Sequence, residues 1–456
     1  MKIYVNTIFS QMITDNIKPF YDLLSAEVNN KWFIPMVRRG SWDGITRFLN
    51  RRTGKFPSGL LHLVVKYCKA NNIKFELVYK YPRSLIDVDR IKSIKLSGVE
   101  LRPYQMETIL LALKKKRGIL NLATNAGKTE CACGIIKVLN KNTLFLVHTN
   151  TLLHQTKERI EERLQIPCGI VGGGEFKTEK VNVAMVQTIW KRLKKHNVLN
   201  FLINQEVIFA DECHHIQSKM FYNVFKKCPA QYRYGLSGTP FGDDKISKFR
   251  LMGATGEVIK RITNQFLIDE GHSAEPKITF IRFDEKIVKG IDYAEVYKSG
   301  IVENEKRNNT IGRIANKLSG NTLILVNHIK HGQTLAEACN NAIFISGATS
   351  SEDREKIKRD MEKSHEMTLI ATTIFDEGVD MPSIKNLILA GGGKSRIKAI
   401  QRIGRGLRKK EDDNTLRVID FYDAHNKYLE AHSREKIKVY RGQGFKLFTK
   451  KVGLQL

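Results

Sequence analysis

From about residue 118 onward the chain alternates short apolar runs with amphipathic stretches. GILNLA (118–123), TLFLVH (143–148), VNVAMV (181–186), EVIFAD (206–211) and YRYGLS (232–237) read as strands. GKTECACGIIKVL (127–139) and TLLHQTKERIEERL (151–164) carry the helical period between them. A second series comes after the turn-rich DEGHSAEPK (269–277), with strands at TLILVN (322–327), AIFISG (342–347), MTLIAT (367–372) and NLILAG (386–391), and a helix near 331–340. Strand–helix alternation of this kind predicts an α/β fold with two tandem parallel-sheet units covered by helices. Residues 1–97 break the rhythm and predict a small α+β domain. The expected domains are therefore 1–97, 98–272 and 273–456.

A chain of 456 residues exceeds one compact core, in keeping with several domains. With 42% hydrophobic and 27% charged residues it reads as an ordinary soluble globular protein. No run approaches the roughly 18 apolar residues of a membrane span, and the N-terminus MKIYVNTIFSQMITDN lacks a secretory pattern. The expected location is the cytoplasm. The seven cysteines, Cys68, Cys131, Cys133, Cys168, Cys213, Cys228 and Cys339, form no paired Cys-x-x-Cys units. They read as reduced, buried thiols rather than a disulfide frame or zinc site. The net charge of +29 changes the picture more: it exceeds what solubility needs and favours a polyanionic partner, nucleic acid first. A lysine-rich surface of no functional consequence is the plainer alternative.

Two stretches carry candidate chemistry. NLATNAGKTE (121–130) comes after a predicted strand and opens a predicted helix, the setting of a phosphate loop. Leu122 stands where the usual pattern has its first glycine, and Asn125 where another glycine often sits. Asparagine tolerates left-handed backbone better than most residues, so Asn125 can make that turn. Thr124, Asn125, Ala126, Gly127, Lys128 and Thr129 form the candidate cradle, with Lys128 toward the β and γ phosphates and Thr129 toward Mg²⁺. An ordinary helix start accounts for the stretch equally well when it is taken alone. VIFADECHH (207–215) closes a strand on two acids about 80 residues later. Asp211 is placed to hold Mg²⁺ beside the loop, and Glu212 to orient the attacking water. A helix cap is the simpler alternative for such a pair. The spacing of His214 and His215 does not match a zinc site.

With ADECHH the chain resembles the DExH helicases of superfamily 2, and the rest of that family's motifs occur in order over about 99–440. LRPYQ (101–105) resembles the adenine-reading segment, implying Gln105 as base contact and Arg102 as its support. LVHTNTLLHQ (146–155), VGGG (171–174) and AMVQTI (184–189) resemble segments that grip a nucleic-acid backbone, implying Thr149, Asn150, Gly173, Gln187 and Thr188 as contacts. LSGTP (236–240) resembles the motif coupling hydrolysis to strand movement, with Gly238 where many relatives have alanine. ATTIFDEGVDMP (371–382) implies Gly378 and Asp380 near the nucleotide and Thr372 near a DNA phosphate. QRIGRGLR (401–408) implies Gln401, Arg405 and Arg408 facing the triphosphate. Arginines so placed stabilise charge on the transferred phosphoryl group, worth about 10³–10⁵ in rate. GATSSEDRE (347–355), with Arg354 starting a helix, also matches the family. The resemblance implies RecA-like sheets, ATP and Mg²⁺ as cofactors, and an ATP-hydrolysing motor.

Within the superfamily, NLATNAGKT after LRPYQ, together with RRGSWDGITRFLNRRTGKFPSGLL (38–61) and the tail AHSREKIKVYRGQGF (431–445), resembles phage recombination helicases of the UvsW type, the T5-like phage equivalent among them. That family implies unwinding or branch migration of forked and four-way DNA in recombination, replication restart and repair, in a bacterial host's cytoplasm. A monomer is expected. The N-terminal 97 residues hold 17 Lys and Arg against 7 Asp and Glu, which suits duplex phosphates. Trp42 and Phe48 there are candidates to wedge a junction, or else belong to the small domain's core. A double-stranded DNA translocase, an RNA helicase and an ATP-switched remodeller that separates no strands are the alternatives.

Overall fold

The computed structural model describes residues 1–81, 93–242, 244–284, 290, 292–372, 383–393, 403–404, 407 and 414–451. Two compact units emerge, Met1–Ile262 and Thr263–Leu456. The division falls before the turn-rich run at 269–277. Helix Asn264–Asp269 belongs to the second unit, where the Asn264 amide donates to Gln443 at 3.0 Å.

The first unit opens with strands β1 (Lys2–Val5), β2 (Phe9–Ile13), β3 (Ser25–Glu27), β4 (Ile45–Arg47), β5 (Lys55–Pro57) and β6 (Glu76–Tyr79). They form a small mixed sheet ordered β5-β2-β1-β6 and a separate β3-β4 ribbon. This small α+β domain shares one continuous apolar core with the larger sheet of the same unit. Phe48 packs on Phe249 with ring centroids 5.3 Å apart. The Arg117 guanidinium spans the junction, donating to the carbonyls of Thr7, Ala254 and Thr255 at 2.7–3.1 Å. Burial pushes its pKa down to about 9, and neighbouring Arg233 adds to the effect.

The larger sheet has eight strands: β7 (Arg117–Leu122), β8 (Thr143–Val147), β9 (Cys168–Gly172), β10 (Glu175–Lys177), β11 (Val181–Met185), β12 (Val207–Ala210), β13 (Tyr232–Ser237) and β14 (Val258–Ile262). Their order is β10-β9-β11-β8-β12-β13-β7-β14, parallel except for β10. β8, β11 and β12 are almost wholly buried, which is why the sequence shows continuous apolar runs rather than alternation. Ala210 lies opposite Leu146 and Gly235, and Ser237 opposite Asn121. The carboxyl ends of β7, β8, β12 and β13 therefore come together, where ligands bind in parallel α/β sheets.

The second unit repeats the plan with β15 (Glu275–Phe283), β16 (Thr322–Leu325), β17 (Ala342–Ile345), β18 (Thr368–Ala371), β19 (Asn386–Ile388), β20 (Thr415–Asp423) and β21 (Lys446–Lys451). The order is β17-β18-β16-β19-β20-β15-β21, all parallel. The fold is thus two tandem RecA-like parallel-sheet domains with a small N-terminal α+β domain. All seven cysteines are free and buried. Among the described residues, no helix is long and apolar enough to cross a membrane.

Candidate nucleotide and strand-contact site

The loop between β7 and helix Lys128–Leu139 makes two left-handed turns, at Asn125 (φ 67°) and Gly127 (φ 79°). Only glycine fits at 127, since a Cβ there would lie 2.1 Å from the Gln105 amide nitrogen. LRPYQ clasps this loop from outside. Tyr104 Oη and Gln105 Nε2 donate to the Ala126 carbonyl at 3.1 and 3.0 Å. Arg102 donates to the Asn125 carbonyl at 3.4 Å and to Tyr104 Oη at 2.8 Å. Gln105 Oε1 accepts from the Arg102 amide at 2.9 Å, so the buried glutamine amide is engaged within the protein at both ends. The Ala126 amide donates to the Ala123 carbonyl at 3.2 Å, and from the Gly127 cap Lys128 and Thr129 begin a helix whose first-turn N–H groups and dipole favour an anion. Thr124 lies half-buried in the same loop. The Asn125 side-chain nitrogen is buried with no hydrogen-bond partner.

Asp211 and Glu212 lie just past β12. Glu212 is left-handed (φ 41°), strained for a side chain of its kind, and its amide donates to Asp211 Oδ1 at 3.0 Å. Burial and the adjacent Glu212 raise Asp211, against the opposing charge of Lys128. Burial raises Glu212 too. The hydrogen bond from His214, the Lys128 charge and Ser237 overcome it, holding Glu212 well below the usual carboxylate range. Glu212 Oε2 accepts from Ser237 Oγ at 3.0 Å, with His214 Nδ1 at 3.3 Å. The Thr239 amide donates to Ser237 Oγ at 3.1 Å, so the LSGTP loop is wired directly to the acidic pair. LSGTP and the paired histidines stand out in the sequence, but nothing there gives Ser237 or His214 a contact. Their proximity to Glu212 comes from β12 lying beside β13, a pairing that no local motif encodes.

The expected strand-contact residues gather at the ends of β8, β9 and β11. Thr149 caps helix Asn150–Leu164 by accepting from the Leu152 amide at 3.3 Å. Asn150 Oδ1 overlies Gly173, where a Cβ would come within 2.9 Å. Gln187 Nε2 donates to the His148 carbonyl at 2.7 Å, leaving its buried Oε1 without a partner. Thr188 sits half-buried in the same short helix. In the second unit, Thr372 is buried just past β18, its amide donating to the Ile345 carbonyl at 3.3 Å. Gly378, Asp380, Gln401, Arg405 and Arg408 lie outside the described residues.

Residues 98–242 match the family described as "Type III restriction enzyme, res subunit", and residues 305–410 the "Helicase conserved C-terminal domain". The first match takes in the loop and the acidic pair, and the second takes in much of the second sheet. The chain is a superfamily 2 helicase. As such it is an ATP-hydrolysing enzyme. The helicase is 28% identical, over 95% of both chains, to "ATP-dependent DNA helicase uvsW" of Enterobacteria phage T4. It is 26% identical to "DNA 3'-5' translocase XPB2" of Sulfurisphaera tokodaii, over 78% of this chain and 89% of that one. A fragment assigned to an HsdR subunit of a type I restriction enzyme from Vibrio vulnificus YJ016 shares its fold, with a TM-score of 0.61 at 18% identity, covering 90% of this chain and 78% of that chain.

Proposed function

We propose that the helicase is a DNA motor that unwinds or branch-migrates forked and four-way DNA in phage recombination, replication restart and repair. The T4 relative's name, an ATP-dependent DNA helicase, matched along nearly the whole of both chains, supports DNA as the track. The surplus of 76 Lys and Arg over 47 Asp and Glu supports a polyanion. The observation that carries the motor reading is the bonded trio Ser237–Glu212–His214 beside the Asn125–Thr129 loop. It joins the water-orienting carboxylate to the segment expected to follow strand movement.

ATP and Mg²⁺ fit the residues present. The loop offers free amides and one buried unpartnered amide nitrogen, at Asn125. The raised Asp211 is the kind of enclosed carboxylate that a dication would return to its charged form. Thr129 and Asp211 would hold Mg²⁺, Asp211 partly through water. Arg102 and Gln105 would serve the base, and Thr124, Asn125, Ala126, Gly127 and Lys128 the phosphates. Once bound, Mg²⁺ neutralises phosphate charge and polarises the transferred group. Glu212, kept ionised by His214, Lys128 and Ser237, accepts a hydrogen bond from the attacking water and aims it. The resemblance to superfamily 2 helicases adds Gln401, Arg405 and Arg408 as expected triphosphate contacts, and Gly378 and Asp380 as residues expected near the nucleotide. Thr149, Asn150, Gly173, Gln187, Thr188 and Thr372 grip the strand.

The archaeal relative's name, a DNA 3'-5' translocase, supports a second reading, translocation on DNA, which on duplex would need no strand separation. Strand-separation assays with ATP on a fork, a four-way junction, a tailed duplex and an RNA duplex distinguish the two. Product from the fork and junction first is the expected result. DNA-stimulated hydrolysis without product on any substrate would leave the translocase.

A further inference from the structure

We infer that the loop Val28–Gly44 is a preformed knob that stacks on unpaired bases where a nucleic-acid duplex branches. The inference rests on the nucleic-acid motor reading above and names the element that meets the branch point. The loop leaves the β3-β4 ribbon and is pinched at its neck, where the Val28 amide donates to the Gly44 carbonyl at 2.9 Å. It carries Trp32, Phe33 and Met36 out into solvent, with 68, 75 and 57% of their surface exposed. Trp42 and Phe48 are half-buried by contrast: Trp42 Nε1 donates to the Ile45 carbonyl at 3.1 Å, and Phe48 lies on Phe249.

Three neighbouring apolar side chains left in water forgo the stabilisation that burial gives. The knob is nonetheless held in shape. Arg38 Nε donates to the Trp32 carbonyl at 2.6 Å, and Ser41 Oγ to the Met36 carbonyl at 2.9 Å. A shape fixed before binding avoids the ordering cost of binding.

The chemistry around the rings selects the occupant. Lys31 Nζ lies 5.0 Å from the Trp32 ring centroid and the Arg38 guanidinium 5.9 Å from that of Phe33, so each ring has a cation beside it. From Glu27 to Lys55 the chain has seven basic residues and two acids, Glu27 paired with Lys31 at 2.6 Å and Asp43 paired with Arg47, so the remaining cations, Arg38 among them, are in excess. Rings that accept bases, set among cations that accept phosphates, are the working parts of single-strand binding surfaces. An apolar protein partner would use the rings but not this charge. A continuous duplex hides its base faces, so the fitting partner is unpaired nucleotides next to a duplex.

The test is a fork carrying 2-aminopurine at the first unpaired position, titrated without ATP against the unchanged helicase, the double variant W32A/F33A and the conservative W32F/F33Y. The unchanged protein and W32F/F33Y are expected to quench the probe. W32A/F33A is expected to lose the quench and bind the fork about tenfold more weakly for each ring removed, with blunt-duplex affinity unchanged. The substituted side chains are exposed, so thermal unfolding of the double variant should match the parent. Equal quenching and equal fork affinity in W32A/F33A would overturn the proposal and leave the knob as a protein-docking surface. A motor reading that fails shows up separately, as absence of DNA-stimulated ATP turnover in the unchanged protein.

Discussion

Apart from the antiparallel edge strand β10, the two RecA-like sheets share one strand order, and β19 holds in the second the place that β12 holds in the first. The residues just past each strand differ. After β12 come Asp211 and Glu212; after β19 comes Leu389-Ala390-Gly391-Gly392-Gly393. In the second unit the polar groups at this point satisfy one another. The Gly391 carbonyl accepts from Tyr297 Oη and from Asn327 Nδ2, the latter at 2.7 Å. Arg307, fully buried, donates to the Ala390 carbonyl and to Asp423, both at 2.9 Å. In the first unit Asn125 Nδ2, Gln187 Oε1 and Thr239 Oγ1 are buried around the strand ends without partners. Each such atom costs about 1–3 kcal/mol. Among the described residues, the end of β19 is closed on itself, whereas the strand ends of the first unit keep unused hydrogen-bonding capacity.

The contrast predicts that substitutions at the first site damage turnover and those at the second damage stability. Lys128→Ala should lower ATP turnover about 10³-fold, with DNA binding and the unfolding midpoint nearly unchanged. Steady-state ATPase assays beside thermal melts check this, and normal turnover would remove Lys128 from the site. Arg307→Ala should do the reverse. Removing it leaves Asp423 buried without its cation, costing about 3–5 kcal/mol in urea unfolding. A stable, inactive Arg307→Ala protein would break the comparison.

The second unit should also be acid-sensitive through His331. Burial, then the nearby Arg307 charge, lowers its pKa to about 3. Its Nε2 faces Asn308 Oδ1 at 3.0 Å. Below an unfolded value near 6.5, the unfolded chain takes up a proton that the folded chain refuses. Stability therefore falls with pH from about 6.5 towards 3, by about 2 kcal/mol at pH 5. His331→Gln should flatten that slope in unfolding curves measured between pH 7 and pH 5. An unchanged slope would mean His331 is protonated in the folded protein.

Within the first site, Ser237→Ala removes the hydroxyl that donates to Glu212. A hydrogen bond to a charged group is worth about 1.5–3 kcal/mol, so kcat should fall at least about tenfold with KM for ATP little moved. A change confined to KM would place Ser237 in ground-state binding rather than in the aim of the carboxylate.

How much of this was legible depended on whether a feature was local. The strands β7, β8, β11, β12 and β13 showed in the sequence because burial on both faces makes them continuous apolar runs. β21, KLFTKK, did not, because it sits at the end of its sheet and carries three lysines, as edge strands do. β15 was hidden by the turn-rich run that overlaps its start. Motif residues in the loop and the acidic pair were readable from type and order. The Ser237–Glu212 bond was not, since it joins residues brought together only by sheet pairing. Trp32 and Trp42 have the same composition signal, and only the chain's path tells the exposed ring from the half-buried one.

Asn125 brings the comparison down to one side chain. Its φ of 67° asks for glycine or asparagine, and its amide nitrogen is among the atoms held in reserve. Two substitutions separate these roles. Asn125→Gly keeps the turn and deletes the amide, so stability should change by a few tenths of a kcal/mol while KM for ATP rises several-fold, the loss of about 1 kcal/mol of hydrogen bonding. Asn125→Ala deletes the amide and strains the turn, adding about 1–2 kcal/mol of destabilisation. Equal KM values for the two variants, with a stability gap between them, would mean that the amide acts on the nucleotide and the backbone acts on the fold. If Asn125→Gly instead matched the parent in KM, the asparagine would be there for its φ alone, and the reserve at the first site would shrink to Gln187 and Thr239.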